Sequence, residues 1–140
     1  MAVHFFFRDS LIKLSEKRRL KLFISQLFRE ERVLFSSLSY IFCSDEFLLS
    51  INKEFLQHDD YTDIITFCLS GALEPVEGEI YISAERVKDN AISVGTSFNN
   101  ELHRVIFHGV LHLCGFKDKN PSDKRKMTDA EDKYLKLYFG

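Results

Sequence analysis

The amino-acid sequence predicts an α+β fold in which a four-stranded mixed β-sheet is packed by about five α-helices. Short runs of β-branched and aromatic residues alternate with amphipathic helical patterns up to residue 83, and only helical patterns follow. Two of the β-rich runs are joined by a loop without a helix, so these strands can pair antiparallel, whereas the others need crossover connections. The predicted order of elements is β-α-β-α-β-β-α-α-α.

The first half of the chain predicts two strand–helix units. Residues 3–7 are a run of β-forming side chains, and residues 15–35 then place leucine, isoleucine and phenylalanine at helical spacing. Residues 38–43 are predicted to form the second strand. Ser44 is a favourable N-cap for a helix over residues 45–56, whose first turn carries acidic side chains that complement the helix dipole.

The second half predicts two strands followed by three helices. After a polar loop, residues 64–69 are almost wholly apolar and are expected to form a strand buried on both faces. Residues 79–83 alternate in polarity as a fourth strand does. Helices are predicted over residues 84–94, ended by Gly95, over residues 98–114, capped by Ser97, and from Pro121 to about residue 138.

Length and composition indicate a single globular domain over residues 1–140, long enough to bury a substantial core. Hydrophobic residues make up 45% and charged residues 29% of the chain, as in an ordinary folded protein. The net charge of −2 and the pI near 6.2 argue against a general basic nucleic-acid-binding surface. Any contact with RNA must therefore be local, and one or two of the 14 phenylalanines could stack on bases beside a groove.

Several features predict a cytoplasmic protein without a membrane partner. No apolar run approaches the length that spans a bilayer, and the first residues lack the basic lead and long apolar run of a signal peptide. Cys43, Cys68 and Cys114 are widely spaced and lie among apolar residues. They are therefore expected to be buried thiols in a reducing compartment, rather than a disulfide frame or a CxxC metal knuckle.

A pair of histidines on the predicted helix 98–114 forms a candidate metal site. His108 and His112 are four residues apart, which places both imidazoles on one helix face, about 40° from each other. Gly115 suits the left-handed conformation that ends a helix, and the following turn brings the chain round to Asp118. Two imidazoles and one carboxylate with an open fourth position are a ligand set of catalytic zinc, whereas structural zinc sites are closed by a fourth protein ligand.

Gly109 strengthens this hypothesis, because two histidines at helical spacing also occur on many helices that bind nothing. A glycine inside a helix costs about 1 kcal/mol relative to alanine, so something is expected to approach the backbone closely there. Cys114 lies about 200° around the helix from His112 and is assigned to the core. The sequence thus predicts His108, His112 and Asp118 as the ligands of one zinc ion.

The stretch His-Gly-x-Leu-His-Leu-x-Gly-Phe from His108 to Phe116 resembles the signature of the YbeY family, the zinc-dependent endoribonucleases of bacterial ribosomal RNA maturation. The family pattern ends in a third histidine, whose position is held here by Asp118. A carboxylate oxygen binds zinc at about the same distance as an imidazole nitrogen, so the site is expected to persist. Its lower net charge and harder ligand can alter the metal preference.

Other parts of the chain resemble the same family, so that the similarity extends roughly from residue 50 to residue 135. Residues 51–67 and 78–83 match two further blocks, and residues 101–105 lead into the metal motif. In addition to Asp118, two positions in these blocks depart from the family pattern. Leu56 replaces an arginine that in the family serves RNA cleavage, so no guanidinium from this position can neutralise a phosphate. Tyr61 replaces a proline, which loosens the loop and adds a ring able to stack.

The resemblance implies a zinc-dependent endoribonuclease that cleaves single-stranded RNA in ribosomal RNA maturation, at the 3′ end of the small-subunit RNA, and in ribosome assembly and quality control. The implied partners are precursor ribosomal RNA, the small ribosomal subunit and its assembly proteins. Either another cation replaces the missing arginine or activity is weaker. The candidate cations are Lys117, Lys119, Lys124, Arg125 and Lys126. His58, Asp59 and Asp63 are candidates for supporting the ligands or acting as a base, although loop hydrogen bonding and capping explain them more simply.

Two other functions remain open. A zinc peptidase shares the histidine pair but has a glutamate base directly after the first histidine, where this chain has Gly109, so peptide hydrolysis is disfavoured. A non-catalytic ribosome-assembly factor, in which metal only pins the last helix, is favoured by Leu56 and by the mild net charge. Metal removal separates the two roles of the ion, because losing a structural ion unfolds the protein and losing a catalytic ion leaves it folded.

Overall fold

The computed structural model describes residues 2–140, and over these residues the order of strands and helices is the predicted one. The strands are β1 Ala2–Phe7, β2 Phe35–Cys43, β3 Ile64–Cys68 and β4 Val76–Ser83, and the helices are α1 Lys17–Glu30, α2 Asp45–Leu56, α3 Ala84–Val94, α4 Phe98–Leu113 and α5 Pro121–Phe139. None of the helices in this part of the chain is long and apolar enough to cross a membrane.

The strands form a mixed sheet in the order β1-β2-β4-β3. The strand pairs β1–β2 and β2–β4 are parallel, and β3 pairs antiparallel with β4. The prediction of a four-stranded mixed sheet packed by five helices is therefore confirmed for residues 2–140. Because β3 pairs with β4 alone, it is an edge strand, and the wall of a large cleft is built on it.

Element boundaries differ from the predictions where long-range pairing decides them. The first helix was predicted to reach residue 35 but ends at Glu30, since the backbone adopts a left-handed conformation at Arg32 (φ 59°) and Phe35 already pairs with Val76. For the same reason β4 begins at Val76 rather than at residue 79. The polarity of its first residues alternates less clearly, but these residues pair with β2 and extend the parallel β2–β4 ladder.

The prediction that the third strand is buried on both faces is wrong. Within β3 Ile65 alone is buried, and it packs with Leu48 and Ile51 of α2. Ile64 and Thr66 point to the opposite face, where they line the cleft. The edge position explains the difference, because α2 covers one face of β3 while the other borders the cleft that α4 flanks.

The three cysteines do not share one environment. Cys43 is buried at the end of β2, as predicted, and Cys114 is partly buried against the main core. Cys68 is exposed, contrary to the prediction, because it ends the edge strand and lies on its cleft-facing side. The apolar residues next to Cys68 in sequence suggested burial, but they do not show whether a strand end is covered in the fold.

The main core lies between the sheet and helices α1, α4 and α5, and a smaller cluster lies under α2 on the other face. Helix α4 contributes the largest share of buried side chains, and the Tyr40 hydroxyl donates a hydrogen bond to the backbone carbonyl of Ile106 over 2.9 Å. The core residues of α4 are Leu102, Val105, Ile106, Phe107, Val110 and Leu111. This helix is therefore held rigidly on the sheet.

Gly109 lies where α4 makes its closest approach to the sheet. A Cβ atom at this position would lie 2.7 Å from Cδ1 of Ile80 and 3.1 Å from Cδ1 of Ile64. No side chain fits there without displacing Ile80 and Ile64, so the close approach inferred from the sequence is confirmed. The glycine lets α4 lie directly on β3 and β4, one residue after His108.

Gly109→Ala is expected to destabilise the protein by about 1–3 kcal/mol, because overpacking at this contact costs more than the helix gains from alanine. Thermal unfolding measures the loss. Ile80→Val is the matched partner, since it removes the methyl group that the new Cβ would meet. In the Gly109→Ala background Ile80→Val should recover part of the lost stability, although alone it costs about 0.5–1.5 kcal/mol. Strictly additive effects of the two substitutions would contradict the proposed contact.

Candidate metal centre

The last turn of α4 and the loop after it bring together the three predicted ligands. Gly115 adopts the left-handed conformation (φ 101°) and donates its N–H to the carbonyl of His112. The N–H of Phe116 donates to the carbonyl of Leu111, which completes a Schellman helix end. This compact reversal returns the chain beside the last turns of α4, so that Asp118 faces both histidines.

His108, His112 and Asp118 offer ligand atoms that all lie within 4.8 Å of one another. Oδ2 of Asp118 is 3.3 Å from Nε2 of His108 and 3.2 Å from Nε2 of His112. The side chains are 20%, 30% and 39% exposed, respectively, so the cluster opens to solvent on one side. The structure thus brings together the residues that the sequence singled out, and zinc binding by them remains a proposal.

Hydrogen bonds to the other ring nitrogens define what each histidine offers to this cluster. Nδ1 of His108 lies 2.6 Å from Oε2 of Glu131, and Nδ1 of His112 lies 3.0 Å from the carbonyl oxygen of Phe116. A carboxylate and a carbonyl only accept hydrogen bonds, so the proton of each neutral ring belongs on Nδ1. Each Nε2 then presents a lone pair. Two lone pairs and a carboxylate oxygen converge on one point, which suits a divalent cation.

The electrostatic surroundings of His108 also favour positive charge. Burial lowers the pKa of His108, but the hydrogen bond to Glu131 and the charges of Glu131, Asp118 and Asp63 outweigh burial, so the pKa lies above its ordinary value. A field that stabilises a proton on this ring also stabilises a metal cation beside it. Protons and metal therefore compete for His108, as expected for a histidine ligand.

Glu131 is a residue of this site that the sequence analysis missed. It lies on α5 and is only 7% exposed. Its second oxygen accepts a hydrogen bond of 2.8 Å from the Arg104 guanidinium, which also donates to Asp132 over 2.6 Å. A signal was present in the sequence, because Glu131 interrupts the helical stripe formed by Met127, Tyr134, Leu135 and Tyr138. A carboxylate at a core position requires buried partners.

His108, His112 and Asp118 lie in a cleft of about 1130 Å³ between β3 and α4. The floor and walls come from α2, the loop after it, β3, α4 and the following turn, with Glu131 from α5. The lining residues are Asn52, Leu56, His58, Asp60, Tyr61, Thr62, Asp63, Ile64, Ile65, Thr66, Cys68, Glu101, Arg104, Val105, His108, His112, Leu113, Gly115, Asp118, Lys119 and Glu131. A groove of this size admits an extended polymer as well as a small molecule.

The loop residues considered from the sequence have different positions. His58 and Asp63 line the cleft, whereas Asp59 forms an ion pair of 3.3 Å with Lys53. The amide of Asn52 donates to the Asp60 carbonyl over 2.8 Å and thereby holds the loop against α2. The exposed ion pair of Asp59 agrees with the simpler alternative, in which this residue stabilises the loop.

Of the basic residues around Asp118, Lys119 lines the cleft. Lys117 and Lys126 line a smaller neighbouring cavity, and Lys124 and Arg125 are exposed on α5. The expectation that these cations together face the metal cluster is met by Lys119 alone among the five. Lys117 and Lys119 precede α5, whereas Lys124, Arg125 and Lys126 are successive residues of that helix, whose side chains point in different directions.

Both positions that depart from the family pattern face the cleft. Leu56 is 41% exposed and Tyr61 is 45% exposed. The Tyr61 hydroxyl donates to Glu46 over 2.8 Å, and the Arg86 guanidinium lies 5.0 Å from the centre of the Tyr61 ring. The hydroxyl group of Tyr61 is thus fixed, while part of the ring remains accessible. Leu56 contributes an apolar surface at the position where the family pattern has a cation.

Two further carboxyl groups make the cleft acidic. Burial raises the pKa of Asp63, which accepts a hydrogen bond of 3.2 Å from Asn90, despite the opposing effect of His108. Burial likewise raises the pKa of Glu101, against the lowering effect of Arg104. A substrate with negative charges therefore needs a cation in the cleft to offset these groups.

Comparisons with known proteins identify the family that this fold and site resemble. The family model described as endoribonuclease YbeY matches residues 7–138. A relative from Cytophaga hutchinsonii, named endoribonuclease YbeY, is 44% identical over 135 residues, which cover 96% of this chain and 94% of the relative. A relative of the same name from Christiangramia forsetii is 42% identical over 135 residues, covering 95% of this chain and 92% of the relative.

The fold also matches a solved structure. The solution structure of TM1509 from Thermotoga maritima superposes with a TM-score of 0.63, covering 100% of this chain and 90% of that one. The sequences are 24% identical, so this similarity concerns the fold.

His108→Ala or His112→Ala is expected to abolish stoichiometric zinc binding, and Asp118→Ala is expected to weaken it, because each removes one of three converging ligand atoms. Elemental analysis after dialysis measures the zinc content. His4→Ala, at an exposed position in β1, controls for loss of a histidine elsewhere. Retention of one zinc equivalent by the His108→Ala, His112→Ala double variant would falsify this ligand assignment.

Proposed function

This chain belongs to the endoribonuclease YbeY family, and we propose that it is a zinc-dependent endoribonuclease that cleaves single-stranded regions of ribosomal RNA. It is accordingly a hydrolase of RNA phosphodiester bonds. The observation that supports metal dependence most directly is the convergence of two Nε2 lone pairs and a carboxylate oxygen at the base of an open cleft.

A bound zinc ion supplies a Lewis acid for the phosphoryl group and promotes deprotonation of water near neutral pH. The chain provides the geometry for that chemistry. His108, His112 and Asp118 would hold the ion at the end of α4, with three ligand atoms that converge in the cleft. The remaining walls bind and orient RNA.

The shape of the cleft supports single-stranded RNA as the substrate. The cleft is lined by the edge strand β3, by α4 and by the turn after α4. Exposed Tyr61 can stack on an unpaired base, which double-stranded RNA does not present. Lys119 is placed to bind a backbone phosphate.

Asp63 is the side chain of the cleft best suited to accept a proton during cleavage. Its side chain lines the same cleft as His108, His112 and Asp118, and burial raises its pKa, which makes the carboxylate a stronger base. Its hydrogen bond from Asn90 fixes one oxygen and leaves the other for a substrate or water proton. This role is part of the proposal.

We further propose the cellular setting that family membership suggests. The substrate would be precursor ribosomal RNA, cleaved near the 3′ end of the small-subunit RNA in the cytoplasm. The protein would act with the small ribosomal subunit and assembly proteins, in maturation and quality control. Since the net charge is −2, recognition would rely on the local cleft and on such partners rather than on a broad basic surface.

A non-catalytic ribosome-assembly factor with a structural metal is the second candidate function. Leu56 favours it, because the cleft presents an apolar side chain at a position where the family has a cation. The ion would then serve to join α4 to the turn that carries Asp118. The two candidates predict different consequences of metal removal for folding and for RNA cleavage.

The protein is expected to contain one zinc equivalent and to cleave a single-stranded RNA, with cleavage lost on chelation and restored by zinc. Circular dichroism before and after chelation should show a folded protein in both states. A duplex RNA of the same sequence is the substrate control, and the His108→Ala, His112→Ala variant is the protein control. A zinc-loaded protein that cleaves no RNA, or that unfolds when zinc is removed, would instead favour the assembly factor.

Leu56→Arg is expected to raise the rate of RNA cleavage by about tenfold, or ~1.4 kcal/mol in the transition state, by adding a cation near the phosphate. Leu56→Gln is the matched control, because it is polar and of similar length but carries no charge. Single-turnover cleavage of a short RNA measures the effect. Equal rates for the arginine and glutamine variants would show that charge at this position does not assist cleavage.

A further inference from the structure

We infer that Glu131 is a positioning residue for the metal centre, which orients His108 from helix α5, and that Arg104 acts on the metal through Glu131. This inference deepens the proposed function and rests on the metal site described above. It concerns a carboxylate 13 residues after Asp118 in sequence, on a helix that supplies none of the three ligands.

The burial of Glu131 needs an explanation. The residue is 7% exposed within the apolar stripe of α5, and an ionised carboxylate there is costly unless both oxygens have strong partners. One oxygen accepts a hydrogen bond from Nδ1 of His108 over 2.6 Å, and the other accepts a hydrogen bond from the Arg104 guanidinium over 2.8 Å. Both partners are side chains of α4, so the carboxylate is directed at that helix.

The hydrogen bond from His108 determines the tautomer and the orientation of its ring. With Nδ1 protonated toward Glu131, the lone pair of Nε2 points to the side where Asp118 lies, 3.3 Å away. A carboxylate acceptor also increases the basicity of the ring as a metal ligand. Rotation of the ring would break this bond and leave a buried charge with one partner fewer.

The two histidine ligands are held differently. His112 donates to the Phe116 carbonyl, four residues away in the same helix end, so its orientation is settled by the local turn. His108 depends on a carboxylate from another helix, 23 residues away in sequence. The position of α5 on α4 is therefore coupled to the geometry of one ligand and not directly to that of the other.

Arg104 holds the Glu131 carboxyl group in place. It lies one helical turn before His108 on α4, and its guanidinium bridges Glu131 and Asp132 with contacts of 2.8 Å and 2.6 Å. Because the guanidinium is planar and rigid, its contact with Asp132 also fixes the direction of the N–H that it donates to Glu131. With these two bonds made, Arg104 is committed to α5, so it is not the cation that replaces the arginine missing at Leu56.

A purely structural clamp between α4 and α5 would involve the same bonds, but it would not alter metal binding by the folded protein. The test therefore uses Co²⁺ as the probe, since its visible absorption bands report the ligand field directly. Glu131→Gln keeps the size of the side chain but removes its charge. The amide NH2 group cannot accept a hydrogen bond, so either His108 or Arg104 loses its acceptor. Asp129→Asn is the matched control, because it removes a carboxylate from an exposed position of the same helix.

We expect Glu131→Gln to lower the affinity for Co²⁺ by about 10- to 100-fold and to shift its absorption bands, while Asp129→Asn changes neither. Competition with a chelator measures affinity, and circular dichroism confirms that each variant is folded. If Glu131→Gln does not fold, Glu131→Asp makes the same test, since it keeps the charge but withdraws the carboxylate from Nδ1. Wild-type affinity and spectrum in a folded Glu131 variant would overturn the inference.

Arg104→Met separates a direct effect of the arginine from one that acts through Glu131. It should weaken Co²⁺ binding in the wild-type background and have no further effect when combined with Glu131→Gln. Additive losses would show that Arg104 acts independently and would overturn that part of the inference. If the wild-type protein binds no Co²⁺ or zinc, the metal site itself fails and this inference with it. If the wild type binds metal and Glu131→Gln matches it, the positioning role alone fails.

Discussion

The close contact between helix α4 and the sheet at Gly109 is the constraint on which the rest of the site depends. Because no Cβ fits between this position and Ile80, the helix axis is held at a short distance from β3 and β4. The side chains of α4 that face the sheet are buried, and His108 and His112 emerge at the margin of that contact, beside the edge strand. The cleft and the ligand face of α4 are thus two results of one packing arrangement.

Two other parts of the chain then converge on the histidines. The Schellman end of α4 returns Asp118 and aims the Phe116 carbonyl at His112, and α5 contributes Glu131 to His108. Each ring is therefore fixed at Nδ1 before any ion binds. Preorganisation of this kind lowers the entropy lost when a metal binds, and both histidine ligands lie on a helix.

The electrostatics of the cleft explain why an RNA-cleaving enzyme with this lining would depend on its metal. Asp63, Glu101, Asp118 and Glu131 contribute acidic groups, while Arg104 is engaged by carboxylates and Leu56 is apolar. A polyanionic backbone would be repelled by such a surface without a strong cation at its centre. In this chain the bound ion would therefore supply charge compensation as well as chemistry, together with Lys119, which also lines the cleft.

The order of elements, the sheet class and the candidate ligands could be predicted from the sequence, because they depend on local periodicity and spacing. His108 and His112 lie on one helix, and Gly115 marks its end, so a few neighbouring residues are enough to place them. Tertiary structure alone decided which partners come from elsewhere: the register that starts β4 at Val76, the open face of β3 and the contact between Glu131 and His108. These depend on how α5 and the edge strand pack against distant parts of the chain, and no local pattern records that geometry.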